Sequence, residues 1–168
     1  MPDQNTPRIR KNIEDYGDPY MHSQELHGDA QCRECKAIYH NQRWYLPESL
    51  PPDFTKSHKL VQVVCPACRK IADGMPGGVL KLSGDFLDQH RDDILRLLQN
   101  EENAARRSNP LERIMAVETN GTATMIQTTN EKLAQRLGKA VHRAYGGELD
   151  YKWSEDTKLA RVTWRRDA

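Results

Sequence analysis

Two stretches of the chain place apolar residues at the spacing of an α-helix. The first runs from Asp85 to about Arg107, and the second from Asn130 to Tyr145. Because residues three or four apart share one face of a helix, each stretch predicts a helix with one buried stripe. Ser83 or Asp85 is the expected cap of the first helix, and the pair Thr129-Asn130 caps the second. The stripes are Phe86, Ile94, Leu97, Leu98 and Ala105 in the first helix, and Leu133, Leu137, Val141 and Ala144 or Tyr145 in the second.

Four further segments near the C-terminus have the pattern of β-strands. Residues 113–119 and 122–128 flank Asn120-Gly121, which is a preferred two-residue hairpin turn. Residues 148–154 and 159–165 alternate apolar and polar side chains, as expected of half-buried strands. With the second helix between the two pairs, these segments predict a ββαββ unit, in which one helix covers an antiparallel sheet.

All four cysteines of the chain occur in two Cys-x-x-Cys pairs. Cys32 and Cys35 form the first pair, and Cys65 and Cys68 form the second. A spacing of two residues lets one tight turn direct both sulfurs at one metal ion, and two such turns supply a complete tetrahedral set. Short strands over residues 60–64 and 79–82 are expected to complete this module. The pattern predicts a zinc ribbon with one structural Zn²⁺ per chain.

Other ligands and other metals fit the same pattern less well. His27 precedes Cys32 by five residues and is an alternative ligand. An iron centre of the rubredoxin type uses four cysteines as well, but it usually belongs to a very small domain rich in aromatic residues. A catalytic zinc ion keeps one coordination position open for water, whereas four thiolates close the shell.

The segments together predict an α+β protein with four parts. Residues 1–29 form a flexible N-terminal arm, residues 30–84 the zinc-ribbon module, residues 85–110 a connecting helix and residues 111–168 the ββαββ domain. From the polar N-terminal segment and the lack of a long apolar run we expect neither a membrane span nor a secretory leader. Cysteines spaced for metal and not for a disulfide framework favour a cytoplasmic location.

The charge distribution suggests a nucleic-acid partner without demanding one. The net charge is only +1, but residues 32–85 carry eight basic and five acidic side chains, and residues 129–168 carry nine and six. Basic groups beside the cysteine turns can neutralise phosphates, and the second helix carries a basic stripe. Trp44 and Tyr45 either stack on bases or form the small core of the module. The candidate RNA contacts are Arg33, Lys36, Arg43, Arg69, Lys70, Lys132, Arg136, Lys139 and Arg143.

Several motifs together resemble a known group of proteins. These motifs are Cys-Arg-Glu-Cys, Arg43-Trp-Tyr, Cys-Pro-Ala-Cys-Arg, Gly77-Gly78, Asn109-Pro-Leu-Glu-Arg-Ile114 and the run from Thr128 to Leu137. Over residues 30–166 the chain resembles a family of short bacterial zinc-ribbon proteins without an assigned activity. More distantly, the cysteine module is similar to that of the Nmd-type adaptor for export of the large ribosomal subunit. The resemblance implies the four cysteines as zinc ligands and a ribosome or structured RNA as partner, in stress or dormancy.

The sequence contains no catalytic constellation, since it has neither a phosphate-binding loop nor a His-Glu-x-x-His motif. We therefore expect no enzymatic activity and no small-molecule substrate. The leading interpretation is a zinc protein that binds RNA or the ribosome. The alternatives are a protein-protein interaction adaptor and a thiol redox switch that releases zinc on oxidation.

Overall fold

The computed structural model describes residues 28–54 and 60–168, which form an α+β fold with two mixed sheets and three helices. The arm predicted over residues 1–29 lies outside these residues except for its last two, and so does His27. The first sheet has the strand order β3-β2-β1-β4, in which β1 pairs with β4 in parallel and the other neighbours are antiparallel. Its strands are β1 (Ala30–Cys32), β2 (Ile38–His40), β3 (Arg43–Tyr45) and β4 (Val61–Val63), followed by helix α1 (Pro66–Asp73).

The second sheet has five strands in the order β6-β7-β5-β9-β8. Its central strand β5 pairs antiparallel with β7 and parallel with β9. Two helices, α2 (Asp85–Ser108) and α3 (Glu131–Tyr145), contribute to its core. The strands are β5 (Gly78–Ser83), β6 (Ile114–Asn120), β7 (Ala123–Thr128), β8 (Glu148–Ser154) and β9 (Leu159–Arg165).

Strand β5 is where the structure departs most from the prediction. A strand over residues 79–82 is present, but the prediction that it closes the cysteine module is wrong. Leu80 lies opposite Ile126 of β7 and Val162 of β9, and all three side chains are almost fully buried. This strand needs apolar neighbours on both edges, and the short strands of the first sheet do not provide them. We refer below to residues 28–54 and 60–73 as the cysteine module and to residues 77–168 as the C-terminal unit.

Helix α2 is also more than a connection. Its side chains Leu87, Ile94, Leu98 and Ala105 belong to the same buried cluster as the strands of the second sheet. The four strands and the helix of the predicted ββαββ unit are all present, but they do not form a sheet by themselves, because β5 separates β7 from β9. The core of the C-terminal unit therefore needs both helices and all five strands.

The N-terminal caps of the two long helices show where the sequence was sufficient to predict the start of a helix. Of the predicted capping pair Thr129-Asn130, Asn130 is the cap of α3, since its side chain accepts a hydrogen bond of 2.9 Å from the backbone N–H of Leu133. At α2 the prediction of Ser83 or Asp85 is wrong, because the cap is Gly84 and makes no side-chain hydrogen bond. Gly84 has a φ of 103°, and a Cβ there would clash with the carbonyl oxygen of Arg166, the residue after β9. The chain thus packs closely against Arg166 at the position where a polar cap was predicted.

Among the described residues, no helix combines the length and the apolar character that crossing a membrane requires.

Candidate metal centre

The first cysteine pair stands on a tight turn that closes β1. The backbone N–H of Cys32 donates to the carbonyl oxygen of Ala37 at 2.8 Å, and that of Lys36 donates to the carbonyl oxygen of Cys32 at 2.9 Å. Lys36 adopts a left-handed backbone with φ of 68°. This reversal brings Cys35 back over Cys32, as the two-residue spacing predicts.

The second pair lies at the start of helix α1, an element that the sequence reasoning missed. Cys65 is the N-cap of this helix, and its sulfur accepts a hydrogen bond of 3.4 Å from the backbone N–H of Cys68. The N–H of Cys65 in turn donates to the sulfur of Cys32 at 3.3 Å. Helix N-termini stabilise thiolates through their free N–H groups and their dipole. Pro66, at the first turn, was the available signal, because proline favours this position.

The four sulfurs converge on one point. Their Sγ atoms all lie within 4.8 Å of one another, and those of Cys35 and Cys65 are 3.7 Å apart. A tetrahedral ion with metal–sulfur bonds of about 2.3 Å requires sulfur–sulfur distances of about 3.8 Å. Cys32, Cys65 and Cys68 are buried and Cys35 is half-buried. The arrangement fits one metal ion held by four cysteines.

The shifted pKa values of the cysteine thiols also favour a bound cation. The pKa of Cys35 is lowered to about 5, first by the hydrogen bond with Cys65. The pKa of Cys65 is raised, first by that same hydrogen bond and then by burial, and burial raises the pKa of Cys68 to about 11. One thiolate at this place therefore suppresses ionisation of its neighbours. A divalent cation at the centre removes this conflict and lets all four thiols ionise.

A side chain from the C-terminal unit reaches this cluster. The guanidinium Nη1 of Arg113, between α2 and β6, donates a hydrogen bond of 3.2 Å to the sulfur of Cys68. Four thiolates around a divalent ion carry a formal charge of −2, so the cation of Arg113 offsets part of it. Nothing in the cysteine spacing pointed to this residue, which lies 45 positions from Cys68 in the chain.

Backbone contacts hold Arg113 in this place. Its N–H donates to the hydroxyl of Thr129 at 2.9 Å, and the N–H of Thr129 donates to the carbonyl oxygen of Arg113 at 2.9 Å. The ammonium group of Lys70, on α1, donates to the carbonyl oxygen of Thr129 at 3.0 Å. Leu111 packs against the cysteine cluster itself. The C-terminal unit therefore contacts the metal centre through residues 111–113 and 129.

The basic residues predicted beside the cysteines divide into two groups. Arg33, Lys36 and Arg43 are exposed, and the ammonium group of Lys36 donates to the carbonyl oxygen of Arg33 at 3.0 Å. Arg69 and Lys70 are half-buried, and Lys70 is committed to Thr129. The first turn thus presents cations to solvent, whereas Lys70 beside the second turn contacts the C-terminal unit.

The basic stripe predicted on α3 is partly used within the protein. The Nε of Arg136 donates to Glu101 of α2 at 2.8 Å, which ties the two helices together. Lys132 and Arg143 are exposed, and Lys139 is half-exposed. Three of the four predicted positions therefore remain accessible on this helix.

The aromatic pair after Arg43 belongs largely to the interior of the module. Trp44 is buried and packs against the cysteine cluster, and its ring lies 5.3 Å from that of Tyr39. Tyr45 is half-buried, with the guanidinium of Arg43 5.8 Å from its ring centre. Trp44 therefore supports the metal centre from within and does not offer a face for stacking.

A second polar cluster lies at the far end of β2. The two ring nitrogens of His40 contact two carboxylates, Asp29 at 2.8 Å and Asp53 at 3.0 Å. These hydrogen bonds, with that to Asp53 first, raise the pKa of His40 above its ordinary value. Because the carboxylates lie on opposite sides of the ring, they do not converge on one point. The cluster ties the segment before β1 to the connection between β3 and β4.

Comparison of the chain with family models, with curated proteins and with solved structures finds no match. The resemblance to short bacterial zinc-ribbon proteins and to the Nmd-type adaptor therefore stays a prediction.

Proposed function

We propose that this protein is a non-enzymatic, cytoplasmic zinc-ribbon protein that binds RNA or the ribosome. The metal half of the proposal rests on the convergence of the four cysteine sulfurs within 4.8 Å. Zinc is the preferred ion because it binds thiolates tightly, prefers a tetrahedron and has no redox chemistry of its own. Four thiolates leave no open position for water, which favours a structural role over a catalytic one.

The RNA half rests on one observation, the exposed cations at the first cysteine turn. The Arg33 side chain is 64% exposed, and Lys36 is exposed beside it. Both are mounted on a turn that the metal would hold rigid. Cations on a rigid support lose little conformational entropy when they meet phosphates, and their attraction is long-ranged at low salt. The accessible cations of α3, which are Lys132, Lys139 and Arg143, supply a second region of the same charge.

Co-sedimentation with purified ribosomes tests this function. The zinc-loaded protein is pelleted with ribosomes at low and at high salt, and the metal content of the bound fraction is measured. We expect binding at low salt that weakens steeply as salt is added, because phosphate contacts release counterions. Absence from the ribosomal and the free RNA fractions at low salt would contradict the proposal.

A paired set of variants tests the site. Arg33→Gln with Lys36→Gln removes two exposed cations, and Arg96→Gln with Arg107→Gln removes two from helix α2. The first pair should weaken binding several-fold and the second should not, because only the first lies beside the metal centre. Equal effects of the two pairs would show that binding depends on the net charge of the protein and not on the position of the cations. Metal content is measured in every variant, so that loss of the ion is distinguished from loss of contact.

A further inference from the structure

The second sheet has one face that its helices do not cover. Side chains on a strand alternate between the two faces, so the residues next to the buried Leu80 and Val162 point away from the core. Lys81 on β5, Thr163 and Arg161 on β9 and Lys152 on β8 all stand on this other face, and all are exposed. It is formed by the central strands of the unit and is distinct from the cysteine turns and from helix α3.

Three cations on this face lie together without partners. Arg161 and Lys152 are directly opposite each other across β8 and β9. Lys81 lies opposite Thr163 and therefore diagonal to Arg161. In the described part of the chain, no hydrogen bond or ion pair joins the side chain of any of the three to another residue. We call Lys81, Lys152 and Arg161 the sheet cations.

The close placement of the sheet cations should lower the stability of the free protein. Opposed side chains on neighbouring antiparallel strands stand about 5 Å apart at Cβ, and like charges at that distance destabilise the sheet. The two central strands β5 and β9 carry no acidic residue at all. The acids of this face are Glu118 on β6 and Glu148 and Asp150 on β8, and both strands lie at the edges of the sheet. Asp150 lies opposite Thr163 and two residues before Lys152, so an acid adjoins the cations at β8. Strands β5 and β9 present Lys81 and Arg161 to an anion with no acid on either strand.

We propose that this open sheet face binds the phosphate backbone of single-stranded RNA. The inference rests on the proposed function and deepens it by naming a second surface for the same ligand. The sheet cations are spread over three neighbouring strands and do not enclose a site for a compact anion. This spacing fits an extended polyanion better. Thr163 adds a hydroxyl for phosphate oxygens, and Gln127 of β7 an amide. None of the sheet cations has an aromatic neighbour across the strands, so binding should use the phosphates and not the bases, and should depend little on base sequence.

Fluorescence anisotropy with the full-length, zinc-loaded protein and a short labelled uridine oligonucleotide tests the proposal. The triple variant Lys81→Gln, Lys152→Gln, Arg161→Gln is compared with a matched triple variant on helix α2, Arg91→Gln, Arg96→Gln, Arg107→Gln. For single strands the slope of log K against log salt is about −0.7 per phosphate contact, so three contacts give about −2. The sheet variant should lose about 10- to 100-fold in affinity and flatten the slope by about 2, while the α2 variant keeps both.

The remaining outcomes separate this inference from the proposed function. If the sheet variant binds like wild type while Arg33→Gln with Lys36→Gln loses binding, the sheet face is overturned and the proposed function stands. If wild type binds no oligonucleotide and no ribosome, both fail. If the sheet variant loses binding to a labelled poly-glutamate peptide but not to RNA, the face serves an acidic protein and the RNA proposal is wrong. Thermal unfolding accompanies each variant, and the sheet variant should not melt earlier than wild type.

Discussion

Arg113 of the C-terminal unit donates a hydrogen bond of 3.2 Å to the sulfur of Cys68, and this contact joins the metal centre to the larger core. Residues that bond to a metal ligand fix its orientation and adjust the electron density that it offers to the ion. Here the donor is also a cation, so it lowers the net negative charge of the centre. The arginine is held by Thr129, which also accepts a hydrogen bond from Lys70 beside the second cysteine pair.

Replacement of Arg113 should weaken metal retention. For Arg113→Ala we expect about tenfold lower zinc affinity, because the loss of partners that orient ligands typically costs 10- to 100-fold. Competition with a chromogenic chelator measures the affinity. Substitution by cobalt gives an independent readout, since the thiolate charge-transfer band reports the donor strength of the sulfurs. Arg107→Ala, which removes an exposed arginine from α2, should leave both unchanged, and an unaltered Arg113→Ala would show that the contact has no effect on the metal.

Loss of the metal should unfold the cysteine module, and this unfolding should not extend beyond about Gly77. Three of the six buried residues in the small core of the module are ligand cysteines, so metal binding there is folding free energy. For Cys65→Ser we expect loss of hydrogen-exchange protection over residues 28–54 and 60–73 and weaker protection at Arg113 and Thr129. Strand β5 should stay protected, because Leu80 and Leu82 are held by β7 and β9. Exchange of β5 at the rate of the module would show that the two units unfold together.

The contacts of His40 should make the cysteine module sensitive to pH. Its pKa is raised by Asp53 and Asp29, so the stabilisation is fully present below the ordinary histidine pKa of about 6.5. It is lost as the pH rises through the raised pKa of the folded state. The pKa of Asp53 is lowered, so its share is lost when the pH falls through that lower value. NMR titration of the His40 ring should show the raised pKa, and Asp53→Asn should lower it; an unchanged pKa in that variant would contradict the pairing.

Helix α3 should not tolerate a side chain at Gly138. A Cβ there would lie 2.6 Å from Cγ1 of Val162 on β9 and 3.2 Å from Cδ1 of Leu149 on β8. Alanine favours a helix by about 1 kcal/mol over glycine, but overpacking a core typically costs 1–3 kcal/mol. We therefore expect Gly138→Ala to lower the free energy of unfolding by roughly 1 kcal/mol net. Urea denaturation measures it against Lys132→Ala on the exposed side of α3, and a stabilised Gly138→Ala would mean that helix and sheet are less close than the contacts indicate.

A single charge reversal should relieve the repulsion between the sheet cations. Lys152→Glu places an acid opposite Arg161, and opposite charges across a strand pair contribute about 0.2–1 kcal/mol. The variant should be slightly more stable than wild type in thermal unfolding and should lose affinity for RNA. The same reversal at Lys158, in the turn before β9, has no opposed cation and serves as control. A destabilised Lys152→Glu would mean that the lysine makes a favourable contact in the free protein.

Local signals in the sequence were sufficient for most elements and for the ligands. The helical period gave α2 and α3, Asn130 gave the start of α3, and the cysteine spacing gave a four-sulfur site. The place of β5 was not predictable in this way. A short apolar run has the same pattern whether it closes a small module or lies at the centre of a sheet. Its partner strands, which follow more than 40 residues later, decide which of the two it does.

The contact of Arg113 with Cys68 could not be predicted from the sequence either. An arginine between a helix and a strand has the pattern of an ordinary surface residue, and only the folded chain brings it to the sulfur. Short helices such as α1 are missed for a related reason. Eight residues contain too few turns to show a period, and here the cap is a metal ligand and not one of the usual polar residues.

The central place of β5 has a consequence for synthesis of the protein on the ribosome. This apolar strand leaves the exit tunnel directly after the cysteine module, but β9, its parallel neighbour, follows some 80 residues later. The module can close around its metal while β5 still has both edges open, and unpaired apolar strands of this kind are sites of aggregation. A chain that stops after α3 would keep one of these edges open permanently. Pairing of β9 with β5 is thus the step that closes the sheet.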